Sequence, residues 1–156
     1  MNHRFAVTRP DGGVTILVVV PMDGEDEKDL HARAARDVAK VYGEALPMRA
    51  IAEADVPADR TFRNAWTDDG KAIGCDLGRA REIVRETVRQ ARAGKLEALD
   101  VEMIRALGEG AAKKDRDAIE VKKQRLRDAP ADPRIDRAAD VVSLKAALAA
   151  VVAEIG

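Results

Sequence analysis

Large aromatic side chains are almost absent from this chain, which has two phenylalanines, one tyrosine and one tryptophan among 156 residues. Hydrophobic residues still make up 46% of the sequence, so the core must be built mainly from alanine, valine, leucine and isoleucine. Each of these side chains buries little apolar area, and burial stabilises by only about 25 cal/mol per Å². We therefore expect a modest core in a chain the size of one ordinary domain.

Charge and cysteine content exclude several classes of protein. The chain carries 27 basic and 28 acidic residues, and the net charge of −1 gives no overall attraction to nucleic acid or to a membrane surface. A single cysteine, Cys75, allows neither an intramolecular disulfide nor a thiolate zinc cage, and it fits a reducing compartment. The longest apolar run, Val14 to Val20, is far shorter than the roughly 20 residues that span a bilayer. We expect a cytosolic protein without an export signal.

Residues 1–56 are predicted to form a small ββαβ unit. Apolar and polar residues alternate over 4–9, and Pro10–Gly13 supplies the restricted and positive φ angles of a tight turn. Val14–Val20 is β-branched apart from Leu17. We expect this second strand to be central in its sheet or covered on both faces.

A helix is predicted to follow the two strands and to stop at Gly43, which can adopt a left-handed conformation. Its first turn is expected to contain Glu25, Asp26 and Glu27, because carboxylates are favourable at the positive end of the helix dipole. A third strand is expected over 48–54. The apolar stripe of this helix consists of Leu30, Ala34, Val38 and Val41.

Residues 57–78 are predicted to be a connector, and residues 79–156 a helical region. The connector is rich in aspartate, glycine and short polar residues, and we expect it to hold one turn of helix and a short strand over 72–77. The helical region begins with a charged hairpin whose turn lies at Gly108–Gly110. The predicted fold class is therefore α+β.

The first helix of the hairpin carries two apolar stripes that are about 100° out of phase. This pattern predicts a kink or break near Gly94, where glycine costs up to about 1 kcal/mol relative to alanine. The second helix has few large apolar residues and is expected to be largely exposed, and Ser143 is predicted to cap a final amphipathic helix. The two stripes are Ile83, Val84, Val88 and Ala91, followed by Leu96, Leu99, Met103 and Leu107.

The histidines and the cysteine do not form a recognisable catalytic or metal-binding pattern. His3 and His31 have no carboxylate or thiol around them at a metal-ligand spacing, which favours surface or packing roles. Cys75 has no histidine nearby in the sequence, and a buried structural thiol is the favoured interpretation. We expect neither a metal nor a cofactor.

Two groups of carboxylates also have simpler interpretations than catalysis. The run Asp23–Glu27 lacks the alternating oxygen donors and the closing glutamate of a calcium-binding EF-hand loop. Asp68 and Asp69 are adjacent in a predicted turn, where such side chains are more often solvated than coupled for acid–base work. No phosphate-binding glycine loop is recognisable, and the sequence predicts a protein that is not an enzyme.

A basic stripe on the first hairpin helix provides the main alternative function. Arg81, Arg85 and Arg89 recur every fourth residue and would project from one helix face at steps of about 6 Å. Such a ridge could contact phosphates, which would make the chain a nucleic-acid-binding accessory protein. Glu82 and Glu86 neutralise part of the stripe and no aromatic residue interrupts it, so nucleic-acid binding is the weaker interpretation.

The segment Arg60–Trp66 concentrates two of the chain's few aromatic side chains. Phe62 and Trp66 are four residues apart, and Arg60 lies beside them. Tryptophan, phenylalanine and arginine are typical anchors of protein interfaces, but a small domain also uses them to fix a connector to its core. We favour core packing and place the partner-binding surface on the exposed faces of the charged helices.

Three blocks of sequence resemble uncharacterised proteins of bacteriophage and prophage tail modules. The blocks are Pro-Asp-Gly-Gly-Val at 10–14, Ala-Asp-Val-Pro-Ala-Asp-Arg-Thr-Phe-Arg-Asn-Ala-Trp at 54–66 and Lys-Lys-Gln-Arg-Leu-Arg-Asp at 122–128. They occur in the same order over nearly the whole chain. The last block also looks like the C-terminal helix of tail assembly chaperones and tail fibre assembly proteins.

This resemblance implies a non-catalytic tail protein that binds a phage tail or tail-fibre protein. It would act as an assembly factor in the host cytoplasm or as a minor component of the virion tail. Self-association as a homo-oligomer is a further expectation. No functional residue can be transferred from these proteins, because the group has no established site.

Overall fold

The computed structural model describes residues 2–156 and shows the predicted α+β class. The chain divides into two compact units, the first ending at Asp76 and the second running from Leu77 to Gly156. The first unit contains the strands and one helix, and the second contains only helices. Among the described residues, no helix has both the length and the apolar character needed to cross a membrane.

A three-stranded antiparallel sheet is the centre of the first unit. Its strands are β1 (His3–Thr8), β2 (Val14–Val19) and β3 (Met48–Ile51), in the order β2-β1-β3. Phe5 lies opposite Leu17 of β2 and Ala50 of β3. Of the two alternatives expected for β2, the central position is wrong, because the chain returns after its helix to pair with the free side of β1 and leaves β2 at the edge. The other alternative, a strand covered on both faces, is confirmed by the contacts of β2 with α1 and with Trp66.

Helix α1 (Glu27–Tyr42) covers one face of this sheet. The carboxylate of Asp26 caps its first turn by accepting a hydrogen bond from the Asp29 amide, and Gly43 ends the helix with a φ of 78°. Leu30 and Ala34 pack against Phe5 and Val19 of the sheet. The predicted stripe is wrong at its last position, because the Val41 side chain is exposed.

The connector forms a second small sheet rather than a single strand. The hairpin β4 (Trp66–Asp68) and β5 (Ile73–Cys75) follows a 3-10 turn at Arg63–Ala65. Trp66 packs with Ala6 and Val14 on the sheet face opposite α1. The first unit is therefore layered as helix, sheet and hairpin, and both faces of the sheet are covered.

The helical unit contains four α-helices. They are α2 (Leu77–Gly108), α3 (Lys113–Asp128), α4 (Pro133–Arg137) and α5 (Val141–Ile155), with a 3-10 turn at Ala129–Ala131. This turn and helix α4 connect α3 to α5. Among the described residues of α3, only the Ile119 side chain is buried. This agrees with the prediction of a largely exposed helix.

Helix α2 is continuous through Gly94, so the predicted break is wrong. The half-buried side chains of Arg92, Leu96, Leu99 and Met103 continue the buried face that Val84 and Val88 begin. Each four-residue step from Val84 to Leu96 turns the position by about 40° around the helix, so the buried face rotates gradually and joins the two predicted stripes without a break. The sequence pattern missed this because an arginine occupies the linking position. Its guanidinium donates hydrogen bonds to the backbone oxygens of Leu126 (2.8 Å) and Arg127 at the end of α3.

The cap of α5 is Asp140, one turn earlier than predicted. Its carboxylate accepts a hydrogen bond from the Ser143 amide at 2.7 Å, and the Ser143 hydroxyl accepts one from the Asp140 amide. Ser143 is therefore the reciprocal partner in a capping box, which satisfies two otherwise unpaired backbone donors. The helix then buries Leu144, Ala147, Val151 and Ile155.

Helix α2 has two halves with different neighbours inside the helical unit. Its first half packs against α4 and α5, and Lys95 donates a hydrogen bond to the oxygen of Gly156 at the end of α5. Beyond that point the antiparallel helix α3 accompanies it, as the ion pair between Lys123 and Asp100 at 2.7 Å shows. Within the helical unit, the second half of α2 therefore packs against one helix, α3, whereas the first half packs against α4 and α5.

Substituting Gly94 by alanine should stabilise the protein by about 0.5–1 kcal/mol. A β-carbon at this position would have no atom within 4 Å, and the backbone is already helical. Gly43→Ala is the matched control, because its positive φ should make the same change destabilising. Urea unfolding of both variants measures the effect, and a destabilised Gly94→Ala protein would contradict an uninterrupted α2.

Candidate protein-docking surfaces

A groove of about 290 Å³ lies beside the edge strand of the first unit. One wall is the face of β2 that carries Val14, Ile16 and Val18, and the other is the segment around Arg60 and Trp66. Trp66 is only 6% exposed and Phe62 only 2%, whereas Arg60 lies on the surface. Both aromatic side chains of this segment thus belong to the interior of the first unit, and the arginine remains available to solvent.

The rim of the groove is basic. Arg9, Arg60 and Arg63 line it together with Asn64, and the lining contains no carboxylate. Arg9 forms an exposed ion pair with Asp11 at 3.2 Å. Within residues 2–156, no ion pair is found for Arg60 or Arg63 at a distance of 4 Å or less. An apolar floor with cationic sides can accept an acidic group that also offers apolar contact.

A buried ion pair fixes the hairpin that forms one side of this region. Arg49 of β3 donates two hydrogen bonds of 2.8 Å to the Asp68 carboxylate, whose side chain is only 5% exposed. The expectation of a solvated Asp68 is therefore wrong. The Arg49 guanidinium lowers the pKa of this carboxyl group, so the pair is ionised at neutral pH. Asp69 does belong to the turn, where it accepts hydrogen bonds from the amides of Lys71 and Ala72.

A second ion pair, between Glu25 and Arg33, lies just after the end of β2. The Glu25 carboxylate accepts hydrogen bonds from Arg33 (2.7 Å) and from the Met22 amide (2.9 Å), and Arg33 also donates to the Val20 oxygen. These bonds, above all those from Arg33, lower the pKa of Glu25 from 4.5 to about 2. Glu25 thus lies before α1 rather than in its first turn. Its role is to hold the backbone after β2 against α1.

The predicted basic stripe is largely engaged within the helical unit. Arg81 donates a hydrogen bond to the Ala138 oxygen at 3.0 Å. Arg85 is paired with Glu82 and Asp136, and Arg89 with Glu86 at 3.2 Å. The contacts of Arg81 with the Ala138 oxygen and of Arg85 with Asp136 fix α2 to the region of α4. The ion pairs of Arg85 and Arg89 offset part of the positive charge that phosphate binding would require.

An apolar strip on the second half of α2 is the most exposed hydrophobic feature of the hairpin. Val101, Ile104 and Leu107 have exposed fractions of 58%, 71% and 55%. Their spacing of three residues distributes them over an arc of about 120°, from the side opposite α3 towards its flank. We call the surface formed by these three residues the α2 strip. In a chain with few large apolar side chains, three exposed ones on a single helix are a substantial share of the total.

The titratable groups outside the ion pairs show no catalytic arrangement. Cys75 is half-buried rather than fully buried, and burial together with the Asp76 charge raises its thiol pKa, which disfavours the nucleophilic thiolate. The imidazole of His31 packs edge-on against Phe5, with ring centroids 5.4 Å apart. Within residues 2–156, no cluster of three histidine, cysteine or acidic side chains could hold a metal ion.

Sequence reasoning missed the two surfaces for different reasons. The sequence indicates Arg60 as a candidate anchor. Arg9 and Arg63 line the same groove only once the hairpin and the connector have folded onto β2. The prediction that Leu107 belongs to the packing face is wrong, because its side chain is 55% exposed. Leu107 lies only about 20° around α2 from the half-buried Leu96, so helical periodicity alone gives no signal for this exposure.

Comparison of the chain with protein-family models, with curated protein sequences and with solved structures finds no match in any of the three. The resemblance to phage tail-module proteins stays a prediction.

Replacing Trp66 by alanine should cost about 3–5 kcal/mol, because it would remove the largest side chain from the contact with Ala6 and Val14. Arg63→Ala is the control, since this exposed neighbour should change stability by no more than about 0.5 kcal/mol. Chemical denaturation of the two variants measures both effects. A Trp66→Ala protein as stable as the control would show that the hairpin layer is not part of the core.

The ion pair of Glu25 makes a prediction about pH. Because its folded pKa is lowered from 4.5 to about 2, the stability it contributes is present above about pH 4.5 and is lost as the pH falls towards 2. Glu25→Gln should therefore destabilise the protein at about pH 5 by more than it does at about pH 3. Glu44→Gln, at an exposed position just after α1, is the matched control. A difference between Glu25→Gln and wild type that is independent of pH would contradict this role.

Proposed function

We propose that this chain is a non-catalytic bacteriophage tail protein that acts through protein–protein contacts. It works as a tail or tail-fibre assembly factor in the host cytoplasm, or it remains in the tail as a minor virion component. The sequence blocks at 10–14, 54–66 and 122–128 support this proposal through their resemblance to tail-module proteins.

The α2 strip is the observation that carries the proposal. In a chain with so few large apolar residues, Val101, Ile104 and Leu107 remain outside the core on a well-formed helix. Exposed apolar residues grouped on one surface are typical of protein interaction sites. An apolar helix face also fits the common mode in which a helix lies in a hydrophobic groove of its partner.

Charged residues beside the α2 strip favour a partner whose own hydrophobic groove is bordered by both acidic and basic groups. Glu97, Asp100, Glu102 and Arg105 lie on the same half of α2. Such rim charges set specificity and association rate more than affinity. A structural protein of the tail or tail fibre is the proposed partner.

Nucleic-acid binding is the weaker proposal. It would require Arg81, Arg85 and Arg89 to exchange their present hydrogen bonds and ion pairs for phosphates. Few phosphates would be neutralised, so DNA should bind weakly, without sequence preference and with only a shallow dependence on salt.

Polar substitution of the α2 strip should abolish partner binding without unfolding the protein. The triple variant Val101→Gln, Ile104→Gln, Leu107→Gln keeps good helix formers and should change stability by about 0.5 kcal/mol or less. Binding of the tail structural protein should weaken by about 2 kcal/mol or more. Co-expression of the chain with each structural protein of its tail module, followed by co-purification and titration, measures this loss.

The matched control is Val121→Gln with Val142→Gln, which changes two exposed valines on α3 and α5. This variant should bind the tail protein as wild type does. Equal binding by the triple variant would show that the strip is not the contact surface. Failure of every structural protein of the module to bind the wild-type chain would contradict the proposed function itself.

A further inference from the structure

The groove beside β2 lies next to the one long open edge of the three-stranded sheet. Because the strand order is β2-β1-β3, the outer side of β2 has no neighbouring strand in the first unit. An edge strand presents unpaired backbone donors and acceptors to solvent, and natural proteins usually blunt such edges with charges, prolines or bulges. Here the strand itself is Val-Thr-Ile-Leu-Val-Val and contains none of these devices.

The open edge has a defined end. After β2, the Val20 oxygen accepts a hydrogen bond from Arg33 at 2.8 Å, and the Met22 amide donates one to Glu25 at 2.9 Å. These backbone groups are therefore already satisfied. Any strand that pairs with this edge is confined to the six residues Val14–Val19.

The same six residues form one wall of the groove. Val14, Ile16 and Val18 alternate along β2 and face the wall made by Arg60, Arg63 and Trp66. In an added strand every second side chain would point to this side of the sheet. Such side chains would enter a groove with an apolar floor and a rim of guanidinium groups.

The positive charge of the groove rim determines which kind of peptide segment can bind there. The rim carries Arg9, Arg60 and Arg63, and the lining includes no aspartate or glutamate. Arg60 and Arg63 form no ion pair with the residues that the structure describes, so both guanidiniums can accept a carboxylate partner. Arginine pairs with carboxylates through two parallel hydrogen bonds, which rewards aspartate or glutamate at alternate positions.

We propose that the groove between β2 and the Arg60–Trp66 segment binds an extended acidic segment of a partner protein, which adds to the sheet as a fourth strand. Backbone hydrogen bonds to Val14–Val19 would supply affinity, and the three arginines would select acidic side chains. This site lies in the first unit and is separate from the α2 strip. It goes beyond the proposed function, and its failure would leave the tail-binding experiment unaffected.

The test uses labelled peptides and the full-length chain. The probe is a peptide of alternating glutamate and valine that is long enough to span β2, compared with a lysine–valine peptide and with a version that has proline at alternate positions. In about 0.15 M salt, fluorescence anisotropy should detect saturable binding of the glutamate peptide alone. Amide NMR shifts should concentrate at Val14–Val19. Equal binding of the proline peptide would overturn strand addition, and equal binding of the lysine peptide would overturn the acidic preference.

Substitutions on the rim complete the test. Arg60→Glu with Arg63→Glu should weaken binding of the glutamate peptide by at least about tenfold, since charge-assisted hydrogen bonds are lost. Lys28→Glu with Arg36→Glu, on exposed positions of α1, makes the same change of charge and should leave binding unchanged. Equal weakening by both pairs, or no weakening by the rim pair, would overturn the proposal. A dimer of the chain that occupies β2 and resists the peptide would identify a second copy as the occupant and would also overturn it.

Discussion

The contact of Trp66 with the sheet is the interaction on which the first unit depends. Ala6 and Val14 are small for core residues, and the single tryptophan supplies the area that they lack. By covering the sheet face opposite α1, it makes the connector part of the first unit instead of a loose link. The Arg49–Asp68 pair then holds the hairpin in register with the sheet. The same layer supplies Arg63 and Trp66 to the wall of the groove beside β2.

Scarcity of large apolar side chains also explains how the charged residues are used. Arg92 takes a position on the buried face of α2, and its guanidinium reaches the last backbone oxygens of α3. Arg81 and Arg85 similarly connect α2 to the residues around α4. A high charge content in this chain therefore reflects structural roles for long side chains whose aliphatic stems add packing. Arg60 and Arg63 at the groove form no ion pair with the described residues, so their charges can bind another molecule.

Local sequence patterns predicted the elements more reliably than their arrangement. The end of α1 at Gly43 and the hairpin at Pro10–Gly13 follow from cap and turn chemistry, and both are present. Strand order could not be predicted, because the apolar content of β2 is equally compatible with a central strand and with an edge strand beside a covering layer. The continuity of α2 was missed because Arg92 counted as polar. The groove could not be predicted at all, since Arg9 and Arg63 meet only through tertiary contacts.

We propose that this chain works by contact through residues left outside its small cores, with the α2 strip as the surface for a tail partner. Amide hydrogen exchange of the full chain, alone and in complex with the tail structural protein proposed as its partner, tests this proposal most directly. The account predicts slower exchange over residues 98–108 of α2, where Val101, Ile104 and Leu107 are exposed in the free chain. A complex in which exchange over 98–108 is unchanged, while another surface becomes protected, would contradict it.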